Sequence, residues 1–196
     1  MKLFETWKKV MFDPLNFYEQ IPKKVGYREP TLFYLKSTAI GLSILYLMFF
    51  LMGSFVLMFL GMTNMNLGLK GFGIMLLVMI ISFPVIILLY WGMLYVNAAI
   101  YHLFVMLFKG KEKYKETFIS LAYSGAPNML LAVPLVNWAA RVYNLVLFGI
   151  GIHKRQKLSV GKSVAVVLIP VAIGMIIFSM LYFLFIAFSI ALGGIQ

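Results

Sequence analysis

The chain has 196 residues, 63% of them hydrophobic and only 12% charged, with a mean hydropathy of +0.96. A soluble domain carries about 25% charged residues, and few soluble folds of this length bury so much apolar surface, so lipid must be the solvent for most of the chain. The net charge of +11 then marks a cytoplasmic face and anionic headgroups rather than nucleic acid, and the absence of cysteine excludes disulfides, thiolate metal sites and a cysteine nucleophile.

Residues 1–29 read as a cytoplasmic, interfacial segment with no apolar signal-peptide core. Within it, Leu3, Phe4, Trp7, Val10 and Met11 fall on one helical face and Glu5, Lys8 and Lys9 on the other. This predicts an amphipathic helix lying in the interface, with Phe4 and Trp7 as apolar anchors and Lys8 and Lys9 at the phosphates. The alternative is a short helix packed on the rest of the protein. Asp13-Pro14 ends that helix and opens a second, since Asp suits the cap and Pro the first turn. Lys23, Lys24 and Arg28 follow as a basic juxtamembrane segment.

Residues 30–196 carry the apolar runs, read as five spans at 31–60, 72–108, 117–133, 138–152 and 163–192. Residues 61–73, rich in glycine and asparagine, read as a loop between the first two. The run 72–108 exceeds a bilayer, but no polar turn lies near Pro84, so it reads as one long helix that the proline could kink. The third run is broken by Gly125-Ala126-Pro127, and the fifth contains Pro170. With the N-terminus inside, five spans place 15 of the 17 Lys and Arg on the cytoplasmic side, as the positive-inside rule requires. The C-terminus then lies outside.

With the spans placed, the sequence resembles the Yip domain family of five-span membrane proteins, named for interacting with Ypt/Rab GTPases. The matching residues are Asp13-Pro14 with Phe17 and Tyr18, Pro30, His102, Gly110, Tyr123-Ser124, Ala126-Pro127, Pro134, Trp138, the G-I-G-I segment 149–152, Lys162-Ser163 and Pro170. The resemblance implies a compact helical bundle that often self-associates, with its N-terminus cytoplasmic. Eukaryotic members look like trafficking and membrane-shaping factors. The short N-terminal region resembles prokaryotic members instead, which argues against GTPase binding and points to a prokaryotic plasma membrane.

The residues that could carry chemistry are few. Asn97, His102, Arg141 and Asn144 are polar groups within the spans and form a candidate polar or lipid site. His102 reads first as an interhelix hydrogen bond and second as a proton or substrate group. It lies about 140° around the helix from Asn97, which shares its face with Tyr101 instead. No span holds a carboxylate to pair with Arg141, which must snorkel to headgroups or face a lipid- or anion-binding pocket. Pro84, Pro127 and Pro170 are helix breaks, and Tyr123 is a family-motif position. Gly161-Lys162-Ser163 has the ending of a phosphate loop, but neither its first glycine nor its strand. Two histidines 51 residues apart make no metal site.

The expectation is therefore an all-α, polytopic transmembrane bundle of five spans with an N-terminal interfacial helix. It is expected to be non-enzymatic and without a cofactor, to bind lipid, and to organise or shape membrane or scaffold partner membrane proteins, itself among them. The rival is a transporter, channel or lipid scramblase using the polar groups of spans two and four.

Overall fold

The computed structural model describes residues 2–22 and 24–193. Lys23 of the basic segment and residues 194–196 of the tail lie outside them. The described chain is helical: α1 (Leu3–Phe12), α2 (Pro14–Gln20), α3 (Arg28–Thr63), α4 (Met65–Leu107), α5 (Tyr114–Ser124), a 3₁₀ turn (Ala126–Leu130), α6 (Pro134–Gln156) and α7 (Val160–Gly193). Four of these, α3, α4, α6 and α7, are long and apolar enough to cross a membrane.

The third expected span is not among them. Residues 117–133 fold as the 11-residue α5 and the 3₁₀ turn, because Pro127 has no N–H to continue the α-ladder. From Thr117 to Ser124 nearly every residue of α5 is buried, so this helix is the central post of the bundle. Its hydroxyls are satisfied locally: Ser120 donates to the Glu116 carbonyl at 2.8 Å and Ser124 to the Leu121 carbonyl at 2.8 Å. Three apolar clusters surround the post. Ile119, Tyr123 and Ala126 join α1, α2 and α6; Phe118 and Ala122 meet Leu94 and Ala98 of α4; Phe148 and Ile152 join Val105 to Val166 and Val167 of α7.

The expected loop at 61–73 is also absent. Thr63 ends α3, Asn64 alone is extended, and α4 starts at Met65. The Asn64 side chain caps the new helix, accepting from the backbone N–H groups of Asn66 at 3.1 Å and Leu67 at 3.2 Å. The two helices therefore meet at a single residue and reverse the chain without a longer loop. The glycines serve close approach: a Cβ on Gly68 would stand 2.7 Å from the Gly61 Cα. Pro84 and Pro170 lie inside continuous helices.

The basic end of the molecule is tied by buried polar bonds. Arg155, at the end of α6, and Glu116, in the first turn of α5, are 7% and 12% exposed and form an ion pair. The Arg155 Nε–H donates to Glu116 Oε2 at 2.7 Å and its Nη1 to the Ile21 carbonyl at 2.7 Å. Gln156 receives the Glu112 N–H on Oε1 at 3.1 Å and donates from Nε2 to Thr117 Oγ1 at 2.9 Å. Beyond the start of α6, helices α3, α4 and α7 run on alone. Residues 43–63 of α3, with no buried member, extend ~31 Å beyond the body, close to the ~30 Å of a hydrocarbon core.

Among the described glycines the tightest is Gly41 of α3 against the 3₁₀ turn, where a Cβ would fall 2.0 Å from the Asn128 carbonyl oxygen. Gly41→Ala is expected to lower the thermal midpoint by the equivalent of about 3 kcal/mol, while Gly174→Ala, with open space around it, leaves it unchanged or slightly raised. A scanning-fluorescence melt in detergent distinguishes the two. Glu116→Ala should cost about 3–5 kcal/mol in the same assay, because it strands the buried Arg155 charge.

Candidate functional site: a polar cleft between α4 and α6

Both α4 and α6 pack on α5, and above their contact with the post they part to leave a cleft of about 360 Å³. One face of α4 supplies Tyr90, Leu94, Asn97 and Tyr101, and one face of α6 supplies Asn137, Ala140, Arg141, Asn144 and Leu145. Both sets repeat at three and four residues, the spacing of a single helical face. Asn128 of the 3₁₀ turn and Val171 of α7 also line it.

Asn97, Arg141 and Asn144, far apart in sequence, therefore share one cavity. His102 is left out, because it lies around α4 from Asn97. Its Nδ1 meets Thr117 Oγ1 at 2.9 Å, joining the Gln156 knot at the basic end. Pro127 lines the cleft at the start of the 3₁₀ turn. Pro170 precedes Val171, and Pro84 lies apart, exposed on the projecting part of α4. Tyr123 is buried in the core, edge-on to Phe17 with ring centroids 5.0 Å apart.

Some groups in the cleft are tied and some are free. Asn128 Nδ2 donates to Thr38 Oγ1 at 2.9 Å, which fixes the 3₁₀ turn on α3, and Ser124 Oγ donates to Asn144 Oδ1 at 3.4 Å. Asn137 Oδ1 is buried without a hydrogen bond. Among the described residues Arg141 makes no ion pair, and no carboxylate, thiol or imidazole lines the cleft. Guanidinium, amide and phenol donors can hold an anion and offer no base for a nucleophile. Among the described residues no group of three His, Cys, Asp or Glu could hold a metal ion. Asn137 escaped the sequence reading because it lay between the expected spans, and Asn128 because it followed the break at Pro127; the three-and-four spacing of Asn137 with Arg141 and Asn144 was the signal available.

The N-terminal anchors are arranged differently from a free surface helix. The Trp7 indole N–H donates to the Ala126 carbonyl at 2.9 Å, Thr6 and Val10 are buried, and the Tyr143 hydroxyl donates to the Met11 carbonyl at 2.5 Å. Phe4 stacks on Trp7 at 5.6 Å and stays exposed, as do Lys8 and Lys9. The helix is thus docked on the bundle by most of its apolar face.

A family model described as the Yip1 domain matches residues 8–193. Comparison with curated proteins and with solved structures finds no match.

Trp7→Phe removes the bond to Ala126 while keeping an aromatic ring. It is expected to cost about 0.5–1.5 kcal/mol and to speed limited proteolysis around residues 12–13, read by mass spectrometry of the fragments.

Proposed function

The chain belongs to the Yip1 domain family, and we propose that it is a non-enzymatic integral membrane protein that shapes or organises the bilayer and scaffolds partner membrane proteins. The observation that carries this reading is the unequal cross-section of the molecule. At the basic end α1, α2, α5 and α6 surround the feet of α3, α4 and α7, whereas at the other end only α3, α4 and α7 continue. A body that is wide at the headgroups of one leaflet and narrow through the hydrocarbon spreads that headgroup layer and favours curvature toward it. Exposed Phe4 and Phe12, beside Lys8 and Lys9, extend the wide end into the interface. The lysines and arginines gathered there support a cytoplasmic position for that end, with anionic lipid beneath it.

Transport is disfavoured by the projecting helices. Their concavities are lined by side chains such as Leu47, Phe50, Met79 and Ile80 or Leu57, Met62, Leu69 and Phe72, with almost no polar surface to lead from the cleft across the membrane. Reconstituted into liposomes, the protein is expected to yield smaller or tubulated vesicles by electron microscopy. A Phe4→Ala/Trp7→Ala double variant should remodel less. Fluorescent-lipid scrambling and proton leak should match empty vesicles; flux in the wild type that is lost in Arg141→Ala would replace this reading with the transport class.

A further inference from the structure

We propose that the cleft between α4 and α6 is a binding site for the phosphate group of a glycerophospholipid, drawn from the leaflet at the basic end of the molecule. The inference needs only that the long helices lie in lipid, and it stands whether or not the protein bends the bilayer.

Charge identifies the ligand's sign. Arg141 carries a cationic guanidinium, and the six Asp and Glu side chains of the chain lie in the N-terminal segment, the turn between α4 and α5 and the first turn of α5, none of them lining the cleft. A guanidinium at the edge of lipid needs an anion, and its planar fork matches two phosphate oxygens at once. The Asn97 and Asn144 amides and the Tyr101 hydroxyl share the cavity and can complete the ring of donors. Asn137 Oδ1, buried and unbonded, is an acceptor, and a headgroup hydroxyl or ammonium would satisfy it.

Shape identifies the source. The cavity of about 360 Å³ is larger than a free phosphate fills, and Leu131, Leu145 and Val171 wall part of it with apolar surface. Such walls suit the glycerol and the first methylenes of a lipid.

Depth agrees with both. Arg141 stands ~22 Å along α6 from its basic end at Gln156. From Leu94, which lines the same cleft, α4 runs ~45 Å to the turn at Asn64. A bilayer measures ~40–45 Å with its headgroups. If Asn64, Asn66 and Lys70 lie among the headgroups of one leaflet, the cleft lies among those of the other. The start of α6 then dips only about two turns further, into the acyl chains, where Leu135 at 89% exposed and Trp138 at 76% exposed find apolar surroundings. On this arrangement α5, the 3₁₀ turn and α6 form a re-entrant hairpin, and α6 does not cross.

The test uses the full chain in detergent, with phosphatidylglycerol and phosphatidylethanolamine as lipid probes and inorganic phosphate as the soluble probe. Native mass spectrometry should show one lipid retained per chain. Arg141→Gln should lower that occupancy roughly tenfold or more, Arg141→Lys should fall between, and Lys70→Gln, an equal charge loss at the far turn, should match the wild type. Equal lipid retention by Arg141→Gln and wild type, or inorganic phosphate that binds and displaces the lipid, would overturn the proposal. Depth is read separately with single cysteines in cell membranes. Lys111→Cys and Asn66→Cys should react with an impermeant reagent from opposite sides and Leu135→Cys from neither. Reaction of Leu135→Cys from either side would remove the lipid-headgroup position of the cleft.

Discussion

The rest of the bundle depends on the buried pair of Arg155 and Glu116. Taking two charges out of water costs several kcal/mol for each ion, and here the cost is offset by direct pairing and by the Ile21 carbonyl. That geometry sets the end of α6 against the start of α5 and draws the end of α2 to both. Gln156, the next residue, secures the turn between α4 and α5 through Glu112 and Thr117. With its foot held, α5 stands as a post between α4 and α6. The gap above their contact with it is the polar cleft, so a cavity of amides and one guanidinium follows from an ion pair some four turns away.

Much of this architecture was legible in the sequence, because lipid leaves few choices. Apolar runs of bilayer length must be helical, and α3, α4, α6 and α7 are found close to where the runs begin and end. The one long helix over 72–108, read from the lack of any polar turn at Pro84, is the body of α4. The family was readable from the order of its prolines, aromatics and glycines. Two readings differ from the helices found, for related reasons. Residues 61–73 resemble a loop by the rules of water, where glycine and asparagine mark turns; among apolar helices the same glycines let backbones touch. Residues 117–133 resemble a short span by hydropathy, yet they are apolar because protein, not lipid, surrounds them. Hydropathy alone does not separate those two solvents.

The cleft was half legible. Asn97, Arg141 and Asn144 could be singled out as costly residues for a membrane helix, but nothing in their spacing says that α4 and α6 face each other. That depends on the post between them. His102 drew attention for the same reason as Asn97 and belongs to a different neighbourhood, a hydrogen-bonded knot with Thr117 and Gln156. Trp7 shows the same ambiguity. An amphipathic pattern fits a membrane surface and a protein surface equally, and the indole bond to Ala126 turns most of the helix toward the second.

The single extended residue between α3 and α4 bears on how the protein enters its membrane during synthesis. A hydrophilic loop must be carried across the hydrocarbon core, and each charge adds to the barrier. Here the two helices meet at Asn64, and the tip offers only a few asparagine and threonine groups and Lys70. The pair can therefore sink into the bilayer as a closed hairpin from the side on which it is made, with one ammonium group to translocate and no domain to pull through.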